Sequence, residues 1–227
     1  MGSYNFIGKN TLNLEDSFSF SCNCCGECCK NRDDILINAY DIFRLSKGLN
    51  ISDSQLLQMY CEIYIGPISK IPLVRIRFPG GVCSFLRDNK CSVDLFKPSV
   101  CRLYPLGRGM VGESGDIFYF KQDVPCGGKG TQIVKEWVKD LDERTFVEWS
   151  TSIFKLMTDK NYKLLVEKFP SCEEEMYKMF FYSVFDILYL HYDIRFDFLP
   201  QLKEHFEKMF FILHSNKTES LISKFLI

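Results

Sequence analysis

The sequence predicts an α+β protein, predominantly helical, with an irregular cysteine-rich metal-binding domain followed by a helical region. Two observations lead there. The cysteines are concentrated early in the 227-residue chain: five lie between Cys22 and Cys29, three between Cys83 and Cys101, and one at Cys126. Past Cys126 the chain turns Phe-rich, with apolar residues at helical spacing and almost no cysteine. A soft boundary falls at Gly127-Gly128-Lys129-Gly130, giving a cysteine-cluster domain over 1–130 and a helical extension over 131–227.

Taken in order, Ala39 to Lys47 reads as a short helix ended by Gly48 in the left-handed conformation. Ser52 and Gln55 have capping-box spacing and open a helix through Leu56, Met59, Tyr60 and Ile63, with Cys61 on it as a core thiol. Leu73 to Phe78 reads as a strand, Gly80-Gly81 and Asp88-Asn89 as turns, and Ile117 to Phe120 as another strand. Further on, Val134, Trp137, Val138 and Leu141 share one helical face, and Phe146, Trp149, Ile153 and Met157 repeat the spacing. Ser171 and Glu174 form a second capping-box spacing, ahead of Met176, Phe180, Val184 and Ile187. Pro200 suits the first turn of a helix carrying Leu202, Phe206, Met209 and Leu213. These aromatic and aliphatic stripes are core faces of a packed helical bundle or cap.

Composition excludes several partners. There are 28 Lys and Arg against 29 Asp and Glu, and no basic run, so nucleic acid is not an expected partner. The N-terminus lacks a basic start and an apolar stretch, so no secretory signal is expected. The strongest apolar run, Met179 to Leu190, is too short for a bilayer, which takes roughly 20 residues; it reads as a buried helix. The expected compartment is the cytoplasm, where thiols stay reduced and dense cysteine indicates metal or redox chemistry.

The sharpest feature is Cys22-Asn23-Cys24-Cys25-Gly26-Glu27-Cys28-Cys29. Cys22, Cys25 and Cys28 form a C-x2-C-x2-C series, which lets one tight loop aim several thiolates at a metal or cluster. In bacterial ferredoxins the fourth cysteine comes three residues later and is followed by proline, whereas here it is immediate, at Cys29. The C-x3-C-x2-C signature of radical S-adenosylmethionine enzymes also fails: Cys24 and Cys28 are followed by Asn31, and Cys25 and Cys29 by Arg32. Adjacent side chains such as Cys28 and Cys29 tend to diverge, which would direct them to different centres. With Cys83, Cys91, Cys101 and Cys126, the candidate ligands Cys22, Cys25, Cys28 and Cys29 make eight thiols. That number suits two four-coordinate centres, or one with thiols to spare. An iron–sulfur cluster, 4Fe–4S in type, is preferred and structural zinc is the alternative. Cys24 is read as a non-ligand and Cys172, near a helix start, as incidental.

These residues carry a resemblance. Phe20-Ser21-Cys22 through Cys25-Gly26-Glu27-Cys28-Cys29 resembles the opening motif of the YkgJ-like cysteine-cluster family, described as zinc- or iron-chelating. Cys83-Ser84-Phe85-Leu86, Cys91-Ser92-Val93 and Pro98-Ser99-Val100-Cys101-Arg102-Leu103-Tyr104-Pro105 resemble its second motif, with Lys97 where the family often has arginine. The segment from Asp41 to Leu45 and the helix after Ser52 are also similar. The family includes flagellin lysine-N-methylase. Membership would therefore imply S-adenosylmethionine as a further cofactor, and a protein such as flagellin as substrate.

No glycine-rich nucleotide fingerprint supports that activity. Arg102 and Tyr104, beside Cys101, are the candidate cofactor-binding pair, holding an anionic group or bonding cluster sulfur; anchoring of the ligand loop is their plainer role. The three histidines, His191, His205 and His214, have no paired ligand spacing, and Glu173-Glu174-Glu175 reads as an acidic first helical turn. Electron transfer or redox sensing, and a zinc-stabilised interaction module, are the other functions this pattern allows.

Overall fold

The computed structural model describes residues 11–111, 115–168, 174–216 and 218. It is mixed α+β, 47% helical and 22% strand. The chain begins with β1 (Thr11–Leu12), β2 (Ser17–Ser21) and β3 (Leu36–Ile37), then α1 (Ala39–Leu49) and α2 (Asp53–Tyr60). Next come β4 (Cys61–Ile65), β5 (Pro72–Ile76), the hairpin β6 (Leu86–Arg87) and β7 (Lys90–Cys91), and α3 (Ser99–Leu103). Strands β8 (Leu106–Val111), β9 (Asp116–Lys121) and β10 (Gly128–Ile133) precede α4 (Val134–Val138) and α5 (Glu143–Thr158). Helices α6 (Lys160–Lys168), α7 (Glu174–Tyr189) and α8 (Phe198–Leu213) follow.

The sheets are small and antiparallel throughout: β1-β9-β8, β10-β2, β3-β5-β4 and β6-β7. Among the described residues two apolar cores result. The larger gathers β3, β4 and β5 with α1, α2 and α5 to α8; Leu45, Leu56, Leu156, Leu188 and Leu202 lie at its bottom. Two buried tyrosines fasten helices to the sheet approach, Tyr162 donating to the Lys70 carbonyl and Tyr189 to the Pro72 carbonyl, each at 3.0 Å. The smaller core holds Phe18, Phe20, Leu103, Leu106, Tyr119, Val134 and Val138.

Local signals were realised where they were self-contained. The Ser52 hydroxyl accepts from Gln55 N–H at 3.1 Å and Gln55 accepts from Ser52 N–H at 3.0 Å, completing the capping box. Pro200 sits in the first turn of α8, and Leu202, Phe206, Met209 and Leu213 are all buried. Asp88 and Asn89, both at positive φ, turn the β6-β7 hairpin, as paired left-handed residues do in a type I′ turn.

Four readings are corrected. First, α1 runs past Gly48 to Leu49 and the left-handed residue is Asn50; Gly48 is glycine because the Phe96 ring lies where its Cβ would be, 2.4 Å from Cγ. Second, the α2 helix stops at Tyr60, since pairing of β4 with β5 claims Cys61 and Ile63; Cys61 is the first residue of a strand, buried as expected of a core thiol. Third, α4 joins the smaller core with β2 rather than the helical bundle, because β10 pairs with β2 and carries α4 back to it. Fourth, the Met179–Leu190 run is buried on one face only, with Met179 70% exposed and Tyr182 64% exposed. Strand β10 also runs through the soft boundary at 127–130. Ser171, Cys172 and Glu173 lie outside the described residues. Among the described residues no helix is long and apolar enough to cross a membrane.

Candidate metal centre

Each cysteine segment is positioned by something other than its thiols. Strand β2 alternates Ser17, Ser19 and Ser21 outward with Phe18 and Phe20 inward, so the chain leaves the small core at Cys22. Gly26, at φ +72°, turns it into the 3-10 turn Glu27–Cys29 close against Asn89 and Leu86. The second segment is stitched to the first by main-chain bonds: Cys83 N–H donates to the Cys29 carbonyl at 2.9 Å and Asn31 N–H to the Gly81 carbonyl at 2.6 Å. Cys91 ends the hairpin. Cys101 sits in α3, whose first residue is held by the buried Asp41 carboxylate: Asp41 Oδ1 accepts from Ser99 N–H at 2.7 Å and from the Ser99 hydroxyl at 2.8 Å. Cys126 is fixed by its neighbour Gly127, at φ +109°, where a Cβ would lie 2.4 Å from the Phe20 ring.

These segments meet between the two cores, around two adjoining spaces. An inner cavity of about 80 Å³ is lined by Cys28, Cys29, Cys83, Cys91 and Cys101, with apolar walls and with Arg32 and Lys97 among its polar groups. No histidine or carboxylate lines it among the described residues. An outer groove of about 470 Å³ is lined by Cys22, Cys24, Cys25 and Cys126, and shares Cys28, Cys29, Cys91 and Cys101 with the cavity. Cys22, Cys24 and Cys25 are exposed.

Cys28 and Cys29 do not diverge. Their Sγ atoms are 3.8 Å apart, because the turn's last residue is tied by its carbonyl to Cys83 and both thiols face the same cavity. Two thiolates on one tetrahedral zinc, with bonds of about 2.3 Å, stand about 3.8 Å apart. Backbone N–H groups two residues on are aimed at Cys83 (from Phe85, 3.5 Å) and at Cys91 (from Val93), as suits sulfur that carries negative charge. The Tyr104 hydroxyl lies 3.3 Å from Cys126 Sγ.

The electrostatics describe crowded thiols. The bond with Cys29 and burial push Cys28 well up. Cys29 is lowered by Cys28 but raised more by its bond to Cys83 and by burial, and stands at about 11. Burial pushes Cys91 and Cys101 up, and Cys83, accepting from Cys29 and from Phe85 N–H, is lowered. Burial and neighbouring thiols thus favour the protonated form of Cys28, Cys29, Cys91 and Cys101, and a metal must displace those protons.

Residues 21–127 match the model of the CxxCxxCC family, described as a "putative zinc- or iron-chelating domain". These residues form a CxxCxxCC domain. No curated protein and no solved structure matches the chain.

The CxxCxxCC domain spans every cysteine of the clustered segments and stops where β10 begins. Its donor chemistry fits the ions in the family's description: thiols in place of histidine or carboxylate on the inner cavity among the described residues, with N–H groups directed at sulfur; the cations on its wall, Arg32 and Lys97, are paired with Asp34 and Asp94. Among the described residues no three such side chains have already closed to chelating distance. The domain therefore presents converging donors that a metal would draw together.

All eight predicted cysteine ligands of the domain border one or both spaces. Arg102 reaches the groove wall and bonds Asp140 at 3.1 Å, tying α3 to the segment after α4. Tyr104 lines both spaces. The histidines are elsewhere: His191 pairs with Asp186, His214 with Asp159, and His205 with the Ile187 carbonyl. Sequence reasoning missed Asp41, Arg32, Lys97 and the groove residue Trp137. Two of them left a signal: Asp41, as the N3 acidic residue of a capping box with Asn38, and Lys97, as the basic residue before Pro98 in the second motif.

Proposed function

We propose that this protein holds an iron–sulfur centre of the 4Fe–4S type on the thiols of its CxxCxxCC domain, with zinc as the competing occupant. The observation that supports this reading is the convergence of five thiols from four stretches of chain on one cavity that no histidine or carboxylate lines among the described residues. A bound cluster would supply one-electron chemistry. The chain's own part is to hold the sulfurs and keep water from the inner side with Phe85, Val93 and Val100.

The open groove supports a second ligand beside the centre. Trp137 and Arg102 both line it, residue types that suit the adenine and carboxylate of S-adenosylmethionine provided Arg102 exchanges Asp140 for the ligand. On this reading the protein is a lysine N-methyltransferase acting on a protein such as flagellin in the cytoplasm. The exposure of Cys22, Cys24 and Cys25 favours the alternative, an electron-carrying or redox-sensing protein. Iron, acid-labile sulfide and zinc, measured with a visible spectrum on protein isolated without oxygen, test the centre. Equal iron and sulfide with broad charge-transfer absorption are expected; zinc alone, with no absorption after cluster reconstitution, refutes the cluster. Isothermal titration with S-adenosylmethionine tests the groove, and absence of binding to the loaded protein refutes methyl transfer.

A further inference from the structure

Of the pair Arg102 and Tyr104, the first is engaged away from sulfur and the second is directed at it. The Arg102 guanidinium bonds Asp140 at 3.1 Å. Tyr104 follows α3, its N–H donating to the Val100 carbonyl at 3.3 Å, so the helix that carries Cys101 also places Tyr104. Its ring meets Phe20 edge-on at 5.9 Å, and Phe20 meets Trp137 edge-on at 5.8 Å. Trp137 Nε1 donates to the Leu103 carbonyl at 3.0 Å, which closes the frame around the residue before Tyr104. The phenol ring is thereby fixed against the smaller core. Its hydroxyl lies 3.3 Å from Cys126 Sγ, on a segment 22 residues further along, and both residues border the groove.

Which of the two atoms donates is decided by the state of the sulfur. A thiol can give its proton to the phenol oxygen, but a metal-bound thiolate has none, so the phenol O–H is then the only donor between them. A hydrogen bond to a ligating sulfur orients it and draws off part of its charge, which tunes affinity and potential. Resting on the metal reading, we infer that Tyr104 is a positioning residue of the centre: its hydroxyl donates to the Cys126 thiolate, orients that sulfur and moderates its charge. It serves Cys126 as the Phe85 N–H, 3.5 Å from Cys83 Sγ, serves Cys83. Unlike a main-chain donor, it can be removed by one substitution.

The test compares Tyr104→Phe, which keeps the ring and its packing on Phe20, with the parent, both isolated without oxygen. Charge-transfer absorption is read on the iron–sulfur form or, where zinc is the occupant, on the cobalt(II)-substituted protein. Loss of the hydrogen bond leaves more charge on sulfur, so the band should move to longer wavelength. Release of metal to a chelator should quicken by about tenfold, the low end for groups that hydrogen-bond a metal ligand. Cys126→Ser should release metal at least as fast, and adding Tyr104→Phe to it should change neither readout. A band at the parent's wavelength in Tyr104→Phe overturns the inference whatever the release rate, since packing alone would then be at work. A band shift from Tyr104→Phe that persists in the Cys126→Ser background overturns it too. So does Cys126→Ser protein that keeps the parent's metal content and release rate, because that sulfur would not be a ligand. These outcomes leave the metal reading intact. Protein that carries no metal, and takes up neither zinc nor a reconstituted cluster, overturns both.

Discussion

The helical core and the cysteine region are held together by different means. In the core, long helices bury leucines completely: Leu156 on α5, Leu188 on α7 and Leu202 on α8 are each 0% exposed. The cysteine region has two-residue strands, 3-10 turns and a five-residue helix, and none of its clustered thiols is fully buried. Apolar area is the dominant folding force in the first region. In the second, short pieces carry donors that repel as they ionise, so a bound cation does there what leucine packing does in the bundle.

The contrast is broken most directly by metal removal. Structural thiolate sites contribute on the order of 10 kcal/mol of binding free energy, so the effect is the largest expected. After removal, amide hydrogen exchange should rise over residues 22–28, 86–92 and 99–103, while α5 and α8 keep their protection. Uniform loss of protection would show that the two regions fold as one unit. Next in size, Leu202→Ala should cost about 2–5 kcal/mol of unfolding free energy in a denaturant titration. It should leave the metal content unchanged, because the side chain touches only the core. Asp41→Asn tests the joint between the regions. It weakens the acceptor for Ser99 and should cost about 1–3 kcal/mol, with faster metal release because α3 carries Cys101.

Two smaller effects follow. Burial lowers the His205 ring below its ordinary value, so the folded protein keeps it neutral while the unfolded chain protonates it first. Stability from this group is present above the unfolded value near 6.5 and is lost as pH falls through the lower folded value. A thermal-unfolding series in pH should show that slope in the parent and not in His205→Gln. Smallest of all, Cys24→Ser should leave metal content and release rates as they are, by elemental analysis and chelator challenge.

What was legible in the sequence is what neighbours along the chain decide. Ser52 with Gln55, Asp88-Asn89 and the Leu202–Leu213 stripe each specify their structure within a dozen residues. Gly48 was misread as a helix stop because Phe96, far along the chain, is what requires a glycine there. Cys61 was placed on a helix because its strand exists only through pairing with Ile76. The site followed the same rule. The cysteines and their spacing named the chemistry, but the closeness of Cys28 and Cys29, and the sorting of thiols between cavity and groove, depend on contacts between segments more than fifty residues apart. Asp41 was hidden for that reason too: its capping role is local, while its hold on Ser99 is not.

The main-chain bonds from Cys83 to Cys29 and from Asn31 to Gly81 involve no sulfur. They keep the two halves of the ligand set in register whether or not the thiols are occupied. The seam between the two cysteine segments is thus a property of the peptide backbone, and a cysteine substitution can empty the site without unstitching it.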